Sequence, residues 1–147
     1  MLITKIKRNL TDKQLENKKI DWLELAWEEL NKKVLKKKTL AGVSVSISLE
    51  QGEALSYGAV LYEDREGVIA IRTELESVYL IKPETMFEMG TIAFEIGNRH
   101  TPCIIQGNQI LLRADHTFEE LFNKVGVDYE KTRARLKKPF KYQGHQH

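Results

Sequence analysis

The sequence has a single cysteine, Cys103, and only three prolines in 147 residues. One cysteine cannot form an internal disulfide, so the disulfide frameworks of small secreted domains are excluded. No apolar run approaches the roughly 20 residues of a membrane-spanning helix. Charges also interrupt the N-terminal stretch MLITKIKRNL before it reaches the length of a signal peptide. We therefore predict a cytoplasmic protein that makes no membrane contact.

Signatures of common catalytic and nucleotide-binding sites are missing as well. The sequence contains no phosphate-loop motif G-x-x-x-x-G-K-[ST], no H-E-x-x-H motif and no Cys-x-x-Cys pair. It suggests no Ser/His/Asp arrangement, and no aromatic RNA-binding signature marks the second half. We therefore predict that the protein is not an enzyme.

The net charge of +2 is unevenly distributed along the chain. Residues 1–40 carry 11 Lys or Arg against 6 Asp or Glu, and residues 128–147 carry 6 against 2, whereas residues 41–127 carry 6 against 13. A solvated surface and a basic face for an acidic partner both fit this distribution. Nucleic acid is not expected, because the lysine run at 36–38 has no interleaved aromatic residues for base stacking.

The first half of the sequence is typical of short strands. VSVSISL (43–49) alternates apolar residues with serines, a period of two that predicts a half-buried strand. AVLYED and VIAIRTE flank Gly67 and predict a hairpin, and LITKIKR and KKVLKKKT are further candidate strands. DWLELAWEEL fits a helix or a strand, and we interpret it as a strand followed by a short turn because its neighbours are β. We predict a small all-β domain over residues 1–75.

The second half has a different pattern, in which strands alternate with two helices. VYLIKP predicts a strand, and Thr85 with Glu88 predicts a capping box that opens a helix through MFEMGTIAFEIG. PCIIQ and QILLRAD predict a hairpin around 107–108, and Thr117 with Glu120 predicts a second capping box before a helix that ends at Gly126. DYEKTRARL predicts a polar edge strand. The order βαββαβ specifies an α+β, ferredoxin-like sandwich over residues 76–140.

The first predicted helix carries small residues on one stripe, at Gly90, Ala93 and Gly97, and the stripe leads to His100 in GNRHTP. Small side chains let another backbone approach, either the chain's own sheet or a second copy of the same helix. Pro102 disfavours helical geometry at the preceding residue, so the helix must end by His100, which we place on a surface turn. A solvated or helix-capping histidine and a metal ligand are both compatible with that position.

The remaining histidines and the cysteine differ in what surrounds them. His145 and His147 lie in the segment 141–147, which we predict to be a flexible tail, and imidazole is a good ligand for nickel, copper and zinc ions. Such a tail fits a reversible metal clamp or simply a disordered end. His116 precedes a predicted helix and is interpreted as structural or solvated. Cys103 lies on an apolar strand, where a free cysteine is usually a small buried hydrophobe.

The combination of FEIGNRHTPCII, a following βαβ segment and the tail YQGHQH resembles the urease accessory protein E (UreE) family, the nickel metallochaperones of urease. The resemblance covers the whole chain, including LSYGAVLYE in the β-rich first half. GNRH together with a downstream GHQH is the specific part of the match. The chain departs from the family in its short tail of two histidines and in Ala59, where family members often have an acidic residue.

The resemblance implies a function, partners and a metal site. It implies a homodimer through the second domain, with His100 of both chains as metal ligands and with His145 and His147 as additional ligands. The cofactor would be nickel(II), for which zinc(II) or copper(II) can substitute, and the partners would be apo-urease and its accessory proteins, including the accessory GTPase. The first domain would bind protein. The alternative is an RNA- or ribosome-associated binding module whose histidines are incidental.

Overall fold

The computed structural model describes residues 1–16 and 19–139 and has a mixed α+β fold. It divides into two compact units: Met1–Glu74 together with Arg135–Pro139, and Leu75–Ala134. The predicted tail, with His145 and His147, lies outside the described residues. None of the helices in the described part of the chain combines the length and the apolar character needed to traverse a bilayer.

The described residues of the first unit form seven strands in two sheets. The strands are β1 (Leu2–Ile3), β2 (Arg8–Asn9), β3 (Ile20–Leu25), β4 (Val34–Lys38), β5 (Ser44–Ser48), β6 (Ala59–Glu63) and β7 (Val68–Thr73). The sheets have the orders β1-β5-β4 and β2-β6-β7-β3. Strands β6 and β7 form the predicted antiparallel hairpin, whereas β1 pairs with β5 and β3 with β7 in parallel.

Two stretches of the first half differ in how well they match their predicted structure. The prediction for DWLELAWEEL is confirmed, since β3 is followed by a 3-10 helix at Trp27–Asn31. The prediction of one strand through LITKIKR was wrong, because only the two-residue strands β1 and β2 form there, and they belong to different sheets. Charged residues alternate too densely in that stretch to offer a continuous apolar face.

The stretch Arg135–Pro139 belongs to the first compact unit. From the sequence we predicted that it forms part of the second domain, residues 76–140. Leu136 is fully buried, and the Arg135 guanidinium donates to the carbonyl of Thr73 at 2.7 Å. The indole N–H of Trp27 donates to the carbonyl of Lys138, also at 2.7 Å. The first unit is therefore made from two separate pieces of chain.

The second unit has the predicted element order βαββαβ. Its elements are β8 (Leu75–Lys82), α1 (Met86–Asn98), β9 (Cys103–Gln106), β10 (Gln109–Arg113), α2 (Thr117–Val125) and β11 (Asp128–Arg135). The sheet order is β11-β8-β10-β9, which places the polar strand β11 at an edge as predicted. Strand β10 pairs antiparallel with both β8 and β9.

Both helices of the second unit pack on one face of this sheet. Alternate residues of β8 and β10 form that face, and Tyr79 opposite Leu112 and Ile81 opposite Ile110 are all completely buried. The helices contribute the buried side chains Ile92, Ile96, Phe118, Leu121 and Phe122 to the same core. The apolar spacing of i, i+3 and i+4 within α2 produced this buried stripe, as the sequence predicts.

The helix termini agree only partly with the predicted caps. Thr85 caps α1, and its hydroxyl accepts from the N–H of Glu88 at 3.0 Å, but the Glu88 carboxylate accepts from the N–H of Glu84. The second predicted capping box, Thr117 with Glu120, was wrong. Helix α2 has His116 at its N-cap position, without a side-chain cap hydrogen bond.

The carboxylate of Asp115 takes the place of the predicted cap on α2. It accepts from the backbone N–H and the hydroxyl of Thr117, at 3.0 and 2.9 Å, and these hydrogen bonds hold the pKa of Asp115 below its ordinary value. The predicted C-terminal stop is confirmed: Gly126 is left-handed (φ 77°), and the N–H groups of Gly126 and Val127 both donate to the carbonyl of Phe122.

Candidate metal-binding site at the end of helix α1

His100 lies two residues beyond the end of α1, on an exposed turn. The backbone of the turn closes the helix through two hydrogen bonds: the N–H of His100 donates to the carbonyl of Gly97 (3.0 Å), and the N–H of Thr101 donates to the carbonyl of Ile96 (3.2 Å). The second of these spans five residues, as in a Schellman motif. The predicted surface-turn position of His100 is therefore confirmed.

The backbone of His100 is left-handed, with φ 55°, and it is the one residue other than glycine with positive φ in the described chain. For an L-residue this conformation costs roughly 1–2 kcal/mol, because Cβ approaches the following carbonyl oxygen. Glycine is the usual occupant of this position at the end of a helix. The backbone conformation at this position therefore favours glycine over histidine. Residues held in such strained conformations cluster at functional sites.

The end of α1 is anchored to α2 next to His100. The guanidinium of Arg99 lies over the ring of Phe118, 5.0 Å from the ring centroid, and Phe118 is itself buried in the core. A cation over an aromatic face is attracted by the quadrupole of the ring. The contact between Arg99 and Phe118 therefore holds the start of the turn that carries His100 against α2.

The second unit also carries a thiol and a second imidazole among its described residues, at Cys103 and His116. Cys103 is half-buried in β9 against the core, and burial raises the pKa of its thiol, which keeps it protonated and a poor ligand at neutral pH. This agrees with its interpretation as a small hydrophobe. His116 is exposed at the N-cap of α2.

Among the residues that the structure describes, His100 is not part of a ready-made set of metal ligands. Within residues 1–16 and 19–139, no group of three or more His, Cys, Asp or Glu side chains is placed to hold a metal ion. Protein-bound zinc, for comparison, takes three or four side-chain ligands. A metal ion bound by His100 would therefore need further ligands from residues outside those ranges or from another molecule.

The outward side of α1 offers a surface on which another molecule could pack. Met86, Phe87 and Phe94 are 90%, 77% and 68% exposed, unusual values for large apolar side chains on a helix. Gly90 and Gly97 lie between and after them, so that residues 87, 90, 94 and 97 follow at spacings of 3, 4 and 3 on one stripe. We call Met86, Phe87, Gly90, Phe94 and Gly97 the α1 outer face.

The two glycines of the α1 outer face are open to solvent. A Cβ built on Gly90 or Gly97 would meet no described atom within 4 Å, apart from the neighbouring helical backbone. Of the two partners that the small-residue stripe allowed, the chain's own sheet is therefore excluded for both glycines. The sequence analysis identified the glycines but missed Phe87 and Phe94. These two residues are seven positions apart, which is two helical turns, and this spacing predicts that they lie on the same face of the helix.

Two protein-family models match the sequence, one in each half of the chain. The family model of the N-terminal domain of the UreE urease accessory protein matches residues 3–74, and that of its C-terminal domain matches residues 76–147.

Individual relatives agree with the family models. The urease accessory protein UreE of Lysinibacillus sphaericus is 54% identical over 106 residues, 72% of either chain. Those of Halalkalibacterium halodurans and Bacillus cereus are 51% and 39% identical and cover 72% and 73% of this chain and 71% of their own lengths. The two domain matches and these identities together show that the chain belongs to the UreE family of urease accessory proteins.

Proposed function

We propose that this protein is a nickel(II) carrier that delivers its ion to apo-urease while the urease active site is assembled. The observation that carries the proposal is the exposed imidazole of His100, held in a strained backbone conformation at the end of a helix whose outer face is apolar and uncovered. The relatives named urease accessory proteins supply the client. The protein would act in the cytoplasm as a binding protein and not as an enzyme.

The proposal requires a homodimer in which the α1 outer faces of two copies pack together. A twofold contact is self-complementary, so each chain would present the same face and the same histidine. Burying Phe87 and Phe94 would contribute about 1.5–3 kcal/mol for each side chain. Gly90 and Gly97 would allow the two helices to approach closely, and His100 of each chain would then lie at one shared interface.

Two imidazoles at such an interface leave coordination positions open on the ion. We propose that His145 and His147 supply further ligands from the tail, 141–147, and that their release opens the shell for transfer. An ion held partly by groups that can leave is easier to pass to a client than one enclosed in a rigid cage. Zinc(II) and copper(II) can substitute for nickel(II), because imidazole accepts all three.

The two units would divide the work. The second unit, which we infer to be a ferredoxin-like sandwich from its element order and strand order β11-β8-β10-β9, would hold the dimer and the metal. The first unit would bind the protein partners, among them urease and the accessory proteins that include a GTPase. The chain lacks a phosphate-loop motif, so nucleotide hydrolysis would belong to that partner.

Calorimetric titration with nickel(II), combined with light scattering, tests the proposal. The wild-type protein should bind nickel as a dimer, and His100→Ala should lose the tightest binding phase while remaining dimeric. Phe94→Asp should give a folded monomer that also loses this phase, because the shared site can no longer form. His116→Ala is the matched control and should bind like the wild type.

A tail truncation separates the contributions of the three histidines. Deleting residues 144–147 should weaken binding or lower the amount of bound nickel without abolishing it, because His100 still holds the ion. Complete loss of binding on truncation would make the tail the primary site. An unchanged tight phase in His100→Ala would refute the assignment of His100.

A further inference from the structure

Strand β4 has one paired and one open edge. It pairs antiparallel with β5 in the sheet β1-β5-β4, and no strand in the described part of the chain pairs with its other side. At the two ends of this pairing, the N–H of Thr39 donates to the carbonyl of Val43 and the N–H of Leu49 donates to the carbonyl of Lys33, both at 2.8 Å. The backbone groups of residues 33 and 39 therefore face β5.

The backbone groups that face the open edge follow from this register. Backbone N–H and C=O groups alternate in direction along a strand, and the pairing from Val34–Ser48 to Lys38–Ser44 has no bulge. The groups of Val34, Lys36 and Lys38 must then turn away from β5. Beyond them, the N–H of Leu40 donates to the carbonyl of Trp22, and the described residues show no backbone partner for the groups of Val34, Lys36 and Lys38 on this side.

The side chains along this edge are cationic and aliphatic. Lys36 and Lys38 lie opposite Ser46 and Ser44, so no carboxylate faces them across the sheet, and neither forms an ion pair among the described residues. Val34, on the same face, is 68% exposed. Lys37 points the other way and is already paired with Glu29 at 2.8 Å.

We propose that the open edge of β4 binds an acidic, extended protein segment, which adds to the sheet as a further strand. The backbone groups of Val34, Lys36 and Lys38 would form the ladder, as in other cases where a peptide adds to a sheet edge. Five residues of β4 offer about 17 Å of edge, at about 3.4 Å per residue. Carboxylates of the bound segment would meet Lys36 and Lys38, and an apolar side chain would meet Val34.

The same lysines disfavour pairing between two copies of β4. Lysines on an edge strand repel a second strand of the same charge, which is how many proteins block self-association at open edges. An acidic strand experiences attraction instead. A nucleic acid is less suited than a peptide, because it lacks the strand-spaced amides that this edge would pair with.

Fluorescence anisotropy of the full chain with a labelled peptide of alternating glutamate and valine tests the proposal. The parent peptide should bind, and a peptide of identical sequence with every backbone amide N-methylated should bind roughly tenfold more weakly, because neither of its edges can then donate the N–H groups of a ladder. This comparison keeps the charge constant. It depends on the β4 edge alone and not on metal binding, so its outcome is separate from that of the nickel experiments.

Variants of the protein locate the binding to β4. Lys36→Pro removes one outward N–H, which an edge strand tolerates, and should weaken peptide binding roughly tenfold. Lys36→Arg keeps the amide and the charge and should bind normally, as should Lys131→Glu in the second unit. No binding of the parent peptide, or equal binding of the parent and N-methylated peptides, would overturn the proposal. The proposal would also be overturned if a single-stranded oligonucleotide displaced the peptide completely and Lys36→Pro bound the peptide as tightly as the wild type. If Lys36→Pro does not fold, the comparison of the parent and N-methylated peptides decides the question.

Discussion

The indole N–H of Trp27 donates a hydrogen bond to the backbone carbonyl of Lys138, 111 residues further along the chain, at a distance of 2.7 Å. Trp27 is only 1% exposed, and Leu136, two residues before Lys138, is fully buried. This bond therefore ties into the first unit a segment that follows the described part of the second unit, Leu75–Ala134, in sequence.

Replacing Trp27 by Phe should loosen that segment. The ring keeps most of its apolar contact but leaves the Lys138 carbonyl without its donor, which should lower the free energy of unfolding by about 1–3 kcal/mol. Urea unfolding measures the loss, and trypsin cleavage after Lys137 should become faster. Trp22→Phe is the control, because the described structure shows Trp22 in ring contacts with Tyr57 and Arg72 and in no hydrogen bond through its indole. Equal cleavage rates in both variants would contradict the prediction.

His100→Gly should separate stability from metal binding. Glycine adopts the left-handed backbone of this position without the Cβ clash, so the free energy of unfolding should rise by about 1 kcal/mol while tight nickel binding is lost. His116→Gly is the matched control: His116 has φ −58°, so glycine there relieves nothing. Thermal unfolding and calorimetry of both variants check this. A destabilised His100→Gly protein would show that the imidazole has a packing role.

Nickel retention should fall as the pH drops through the imidazole range. A histidine must be neutral to bind a metal, and its reference pKa is about 6.5, so proton and metal compete for one nitrogen. Several ligating histidines make the loss steeper than a single titration. Dialysis between about pH 4 and 8 measures retention, and retention that fails only near the carboxylate range of about 4 would indicate oxygen ligands instead.

Two buried threonines of the first unit should respond differently to replacement by valine. The hydroxyl of Thr39 accepts from the N–H of Val43 at 3.0 Å, whereas the buried hydroxyl of Thr73 has no hydrogen-bond partner among the described residues. Thr39→Val should therefore cost about 1 kcal/mol, and Thr73→Val should be neutral or stabilising. Urea unfolding of the two variants provides the test. A comparable loss in Thr73→Val would mean that its hydroxyl is hydrogen-bonded, for example to a buried water.

The carboxylate of Glu29 should make the first unit sensitive to acid. Burial raises the pKa of Glu29, but hydrogen bonds from Lys37 and from the N–H of Ala26 outweigh it and hold the pKa below its ordinary value. A lowered folded-state pKa gives stability that is present above the unfolded value of about 4.3 and is lost as the pH falls through the folded value. Wild-type protein should therefore lose more stability on acidification than Glu29→Gln or Lys37→Met. Parallel curves for all three would contradict this.

The sequence predicted the elements of the second unit because their periods are unambiguous. The spacing within α2 matches one regular structure, the glycine-containing loop at 107–108 predicts the hairpin of β9 and β10, and these elements appear in the predicted order. The cap of α2 was missed because Asp115 and Thr117 offer alternative oxygens two residues apart, and a sequence does not decide between them. His100 was placed on a turn because Pro102 limits the helix by simple sterics.

Other features could not be predicted because they depend on which parts of the chain meet. Leu136 is an isolated apolar residue in a polar stretch, and only its burial in the first unit shows why it is there. The left-handed backbone of His100 is likewise invisible in the sequence, where glycine or asparagine is the expected signal. Local patterns indicate which face is apolar but not what covers it.

The placement of Arg135–Pro139 in the first unit has a consequence for synthesis on the ribosome. The described part of the second unit, Leu75–Ala134, is one uninterrupted piece of chain and can fold as soon as it has emerged. The first unit begins earlier but must wait for Leu136 before its interior is complete. During translation the order of maturation is thus the reverse of the order along the chain, and the nascent first unit, with exposed strands, is the species most open to chaperones and proteases.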